Sequence, residues 1–124
     1  MAEVSVVKKV YKAIKIALFM EKRFDLVFDD VMIKQLKKVA NNGVVKQILT
    51  KMFDKLELIG PDAGKLLDSK LFIYELKTNH PPIRLYYVPS AEINEIKIFE
   101  FEMKTSPEKQ KDTIKELREK LSKS

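Results

Sequence analysis

Residue types that move protons or steady anions gather in the second half of the chain. Glu75 and Lys77 lie two apart, Arg84 and Tyr86 lie two apart, and His80 falls between the pairs in Thr78-Asn79-His80-Pro81-Pro82. On extended backbone a spacing of two puts side chains on one face. If Lys77 lies opposite Arg84 in a hairpin, then Glu75, Lys77, Arg84 and Tyr86 share a face, and Lys104 at the end of the next strand can join them. Such a patch suits an RNA phosphodiester. The 2′-hydroxyl needs a base, the phosphorane needs positive charge, and the leaving 5′-oxygen needs a proton. A tyrosine can also stack on a base drawn out of line. Arg84 stands out because the chain carries 24 lysines and arginines, of which only Arg23, Arg84 and Arg118 are arginines. Its planar fork can hold two phosphate oxygens at once. The plain alternative is a charged, solvated face on which Glu75 pairs with a lysine and Arg84 holds strand register.

His80 is the single histidine. Alone on a loop it makes no metal site, and no carboxylate–histidine spacing of metal type surrounds it. Its ordinary titration near neutrality suits an acid or base at the rim of a site. No phosphate-cradling glycine loop, G-x-S-x-G elbow or EF-hand pattern occurs, which sets aside nucleotide hydrolases and triad hydrolases. No metal and no cofactor is expected.

The elements that must position these groups follow from composition and period. A chain of 124 residues has the length of one domain, and 45% apolar with 34% charged residues describes a folded domain rather than a disordered one. There is no cysteine, so disulfides, thiolate nucleophiles and cysteine-based zinc sites are excluded, and an intracellular protein is the natural reading. The formal charge of +6 favours polyanionic partners, nucleic acid first. Lys8, Lys9, Lys12 and Lys15 interrupt the apolar N-terminal stretch, leaving no membrane span. Ile16–Met20 is too short for a signal-peptide core, and a cytoplasmic location is expected.

Along the chain, Val4, Val7, Tyr11, Ile14 and Leu18 recur at helical spacing, predicting an N-terminal helical extension over residues 1–22. Phe24–Phe28 reads as a strand, and Asp30 as the cap of a helix over Val31–Ala40. Asn41-Asn42-Gly43 ends that helix, and a second runs from Val44 to Ile59 until Gly60-Pro61. Pro61–Ser69 reads as a loop. The period then alternates, predicting a meander of Leu71–Lys77, Ile83–Val88 and Ile93–Met103, with a bulge near Ile98 where the apolar parity changes. Phe72, Tyr74, Leu76, Ile83, Leu85 and Tyr87 should form the core face. Ser106-Pro107 opens a last helix, whose narrow seam of Ile114, Leu117 and Leu121 leaves most of it solvated. The expectation is a single α+β domain over 1–124 with its core at 24–121. Its small, largely antiparallel sheet combines an N-terminal strand with the meander and is packed on one face by the helix hairpin.

From Lys65 to Pro107 the chain resembles the RelE/ParE superfamily of toxins, in particular its HigB-like, phage-derived branch. The resemblance rests on the order of Glu75-Leu76-Lys77, Ile83-Arg84-Leu85-Tyr86-Tyr87, Phe101-Glu102-Met103-Lys104-Thr105 and Ser106-Pro107. In the family the corresponding pieces are a strand ending Glu-Leu-Arg, an aromatic-Arg-x-x-Tyr strand, a Phe-x-Lys-Lys-Thr strand end and a Thr-Pro opening the last helix. Lys77 takes the place of the family arginine, Arg84 and Lys104 match directly, and Met103 replaces one lysine. The resemblance implies a RelE-like fold and a metal-independent endoribonuclease that cuts mRNA on the ribosome, neutralised by a cognate antitoxin protein. It also admits a non-catalytic member, either gyrase inhibitor-like or degenerate, and the charge alone admits an unrelated basic nucleic-acid-binding module.

Overall fold

The computed structural model describes residues 9–10, 23–103 and 106–123. The predicted N-terminal helix lies almost wholly outside the described residues, as does Lys104. Strand β1 (Asp25–Phe28) leads into helices α1 (Asp30–Lys38) and α2 (Gly43–Ile59), and a 3-10 turn at Pro61–Ala63 follows. Strands β2 (Lys65–Asp68), β3 (Ile73–Asn79), β4 (Pro82–Pro89) and β5 (Glu95–Met103) precede helix α3 (Pro107–Ser122). One five-stranded sheet results, in the order β1-β5-β4-β3-β2. β1 runs parallel to β5, and the other pairs are antiparallel. This is the expected α+β architecture, a small, largely antiparallel sheet packed by helices. Among the described residues no helix is long and apolar enough to cross a membrane.

Local chemistry sets the boundaries. Asp29, not Asp30, caps α1, its Oδ2 accepting from the Val31 amide at 3.2 Å. Asn42 was expected to help end α1, and instead its Oδ1 caps α2 by accepting from the Val45 amide at 3.2 Å. The Ser106 hydroxyl caps α3 through the Lys109 amide at 3.1 Å, with Pro107 in the first turn as expected. At the end of α2, Gly60 takes φ 86°, a left-handed geometry suited to glycine. Pro61–Ser69, expected as a loop, contains β2. Its pairing of Lys65 with Glu75 brings Gly64 so close that an added Cβ would lie 2.3 Å from the Glu75 carbonyl oxygen.

The meander has the expected register, Lys77 opposite Arg84 and Leu76 opposite Leu85. The bulge is also present. Tyr86 faces Glu100 and Tyr87 faces Ile98, so Phe99 is the extra residue. Ile96, Ile98 and Phe101 therefore join the core under the helix hairpin, whereas Phe99 joins the opposite face.

Met32, Val45, Leu49, Met52 and Leu56 from α1 and α2 cover Leu76, Ile83, Leu85 and Tyr87. Gln35 reinforces this layer by exchanging two 2.9 Å hydrogen bonds with the Phe101 backbone, beyond the point where β1 stops pairing. Phe72 does not belong to the core face. It is 53% exposed at φ 55°, in a turn where Asp68 accepts from the Lys70 and Leu71 amides. β3 starts only at Ile73, so the alternation that placed Phe72 inward does not yet apply there.

The larger correction concerns layers. Helices cover both faces, not one. The seam of α3 lies on Ile73, Tyr86 and Phe99, with Leu117 buried and Ile114 and Leu121 half-buried around it. A three-residue seam is narrow, but the outer sheet surface it covers is equally small.

Candidate functional site

Two neighbourhoods gather the predicted site residues. The first is the outer sheet face under the start of α3. Register places Lys77 and Glu102 on either side of Arg84, and Glu75 and Glu100 on either side of Tyr86. Arg84 Nη1 lies 3.3 Å from Glu75 Oε2, and Gln110 Nε2 of α3 donates to the same oxygen at 2.6 Å. The Tyr86 hydroxyl donates to Glu102 Oε2 at 3.2 Å. The structure thus brings Glu75, Arg84 and Tyr86 together, adds Glu102 and Gln110, and leaves Lys77 exposed towards the hairpin turn.

This face was expected to be open, and it is largely covered. Tyr86 has no exposed surface and Glu75 is 8% exposed. The Arg84 side chain keeps 24% of its surface, so with half-buried Gln110 it still meets solvent alongside exposed Lys77. Burial, then the negative charges of Glu102 and Glu75, push the Tyr86 phenol well above its usual range. Tyr86 is therefore a fixed hydrogen-bond donor here and not a stacking platform at the surface. Glu102 is also pushed up, because its desolvation outweighs the Tyr86 hydrogen bond and the charges of Lys109 and Arg84. Its place opposite Arg84 was legible in a Glu100-x-Glu102 alternation, but only with the strand register known. Nothing in the sequence marks Gln110.

Other cations on this side are also engaged. Arg118 Nε lies 2.6 Å from Asp68 Oδ2. Lys97 and Lys120 converge on Asp29 and stand 5.2 and 5.6 Å from the Phe99 ring centre. Burial raises the Asp29 pKa, but the Lys120 and Val31 hydrogen bonds and the two lysine charges outweigh it and hold the carboxyl below its usual range.

The second neighbourhood lies beside α2, at the tip of the β3–β4 hairpin. His80 is found here, away from the Glu75–Arg84 pair. Together with Lys51, Lys55 and Lys77 it rims a groove of about 310 Å³. Ile48, Met52 and Leu76 form its floor. Sequence reasoning had not singled out Lys51 and Lys55, although their spacing of four on one helix was visible. Among the described residues no histidine, aspartate and glutamate cluster of three or more is arranged to hold a metal ion.

The arrangement supplies a guanidinium at the edge of a covered polar network, a carboxylate in contact with it, and a free ammonium next in register. A carboxylate, a guanidinium and an ammonium so placed can exchange a proton and steady an anion, here with one carboxylate oxygen already doubly engaged.

The fold is similar to that of two solved structures. The intact E. coli RelBE toxin–antitoxin complex matches with a TM-score of 0.52 and 23% identity, covering 67% of this chain and 99% of that chain. The isolated E. coli RelE toxin matches with a TM-score of 0.53 and 22% identity, covering 76% of this chain and 98% of that chain. No protein-family model and no curated protein matches the chain.

Proposed function

We propose that this chain is a cytoplasmic RelE-like toxin that cleaves mRNA on the ribosome without a metal and is held in check by an antitoxin protein. The observation that carries this reading is the meeting of Glu75, Lys77 and Arg84 on adjacent strands of a fold shared with RelE. The RelBE complex among the similar structures supports a protein partner of antitoxin type.

In this reading Glu75 takes the proton of the 2′-hydroxyl, and the 2′-oxygen attacks phosphorus as the bond to the 5′-oxygen breaks. Arg84 neutralises the charge gathering on the phosphorane, and Lys77 returns a proton to the departing oxygen. The products are a 2′,3′-cyclic phosphate and a 5′-hydroxyl. Lys104 matches the family motif and completes the cationic set by resemblance alone.

A second reading, a non-catalytic member of the same fold, is favoured by one observation. Glu75 is buried and its Oε2 already accepts from Arg84 and Gln110. Mapping message ends in a translating extract separates the two. The nuclease should produce new ends, and Arg84→Lys should lower their rate by about a hundredfold, as for loss of an oxyanion-stabilising donor, with the melting temperature preserved. A folded Arg84→Ala protein with full activity overturns the assignment. Absence of new ends with the wild-type protein supports the non-catalytic reading.

A further inference from the structure

We infer that the groove between α2 and the β3–β4 hairpin binds a single strand of RNA, with phosphates on its lysine rim and a base on its apolar floor. The inference rests on the reading of this chain as a protein that acts on RNA, and it assigns where the strand lies.

Three observations carry it. First, Lys51, Lys55 and Lys77 take part in none of the ion pairs among the described residues, unlike Arg84, Lys97, Arg118 and Lys120. Their charge is available to an incoming anion. Secondly, Lys51 and Lys55 are one helical turn apart, which sets them about 6 Å apart along α2, a separation comparable to that of successive phosphates in one strand. Thirdly, the floor is made by half-buried Ile48 with buried Met52 and Leu76, so it offers an apolar surface to the face of an unstacked base. Exposed His80 at the rim adds a second flat surface.

Lys77 belongs to both neighbourhoods. It stands opposite Arg84 in the strand register, yet it also lines the groove. A strand seated in the groove is thereby led over the hairpin towards Arg84 and Glu75. An acidic peptide would also meet the lysines, but a floor flanked by cations at phosphate spacing fits a nucleotide chain better.

The test uses the full-length protein and a short, labelled, single-stranded RNA, followed by fluorescence anisotropy across a salt series. Lys51→Gln with Lys55→Gln should weaken binding at least tenfold. It should also reduce the slope of log affinity against log salt by about 1.4, from two lost phosphate contacts. Lys111→Gln with Lys115→Gln, which removes the same charge from the exposed side of α3, should change affinity by less than about threefold. Equal losses in the two double variants would overturn the inference in favour of diffuse attraction. Unlabelled polyglutamate serves as the competing probe. If it binds through Lys51 and Lys55 while RNA binding ignores them, the groove belongs to a protein partner and the inference fails. Retained groove binding with no message cleavage would sink the nuclease reading alone. Cleavage and binding that both survive loss of Lys51 and Lys55 would sink the groove alone.

Discussion

On the face under α3, Arg84 meets Glu75, Arg118 meets Asp68, and Lys97 and Lys120 share Asp29. In the groove beside α2, Lys51, Lys55 and Lys77 join no such pair among the described residues. The first region spends its polar groups on one another and on holding a helix to the sheet. The second leaves its charges to solvent around an apolar floor. Two cation-bearing regions of one small domain can therefore differ in kind. Counting cations would treat them alike, whereas pairing separates a region built for cohesion from one open to a ligand. Paired groups also resist substitution differently, because removing one partner leaves the other desolvated and unsatisfied.

The sharpest way to break that contrast is Tyr86→Ala. If the α3 face is a true second core, removing its fully buried ring should cost about 3–5 kcal/mol, the range for large buried aromatics. Denaturant unfolding measures it. Lysine changes in the groove should stay within about 0.5 kcal/mol, as at exposed sites lacking such contacts. A Tyr86→Ala protein as stable as the wild type would mean that α3 rests only loosely on the sheet.

A smaller effect is expected at the polar edge of the same face. Gln110→Ala removes the 2.6 Å hydrogen bond to Glu75 and should destabilise by about 1.5–3 kcal/mol, the usual range for a bond to a charged group. Its influence on cleavage sharpens the comparison further. If Gln110 restrains Glu75, the variant should cut RNA at least as fast as the wild type despite its lower stability. A parallel fall in both quantities would show that Gln110 only supports the fold.

The smallest effect is a pH dependence. Glu100 and Glu102 have pKa values raised above 4.5 by burial, with like charges adding at Glu100. Their protonation in the folded state favours folding below the ordinary carboxylate pKa, and that contribution is lost as pH rises through the raised values. Asp29 behaves oppositely. Held below 3.8, it favours folding above that pH and loses its contribution as pH falls through its depressed value. The melting temperature should therefore climb modestly as pH drops from neutral towards 4.5 and decline in stronger acid. Glu102→Gln should flatten the climb, because glutamine can still accept from Tyr86 without carrying charge. An unaltered profile in that variant would remove Glu102 as its source.

The parity of β3 and β4 was readable in the sequence. Leu76 and Leu85 must face one way, and the pairing of Lys77 with Arg84 that would keep the apolar residues together is the one observed. The bulge followed from the parity change between Ile98 and Phe99, and the helix hairpin from two apolar stripes joined by Asn41-Asn42-Gly43. These are local or nearest-neighbour properties, written in spacings of two, three and four residues. β2 escaped because four residues beginning at Lys65 carry little alternation and become a strand only by pairing with β3. Phe72 was misplaced because alternation cannot tell where a strand begins.

The sequence by itself determined which residues of β3, β4 and β5 share a face, because side-chain direction alternates wherever the chain is extended. Only the tertiary structure decided what covers that face. The seam of α3 is too narrow to announce a second buried layer, and its contact with Tyr86 and Phe99 joins residues far apart in the chain. Likewise, the separation of Lys51 from Lys77 spans the loop, the turn and β2, so no local period could bring them to one groove. Charge was legible in the sequence; whether a charge is paired depends on packing between distant elements, and packing made Arg84 a bound partner of Glu75 and left Lys51, Lys55 and Lys77 open.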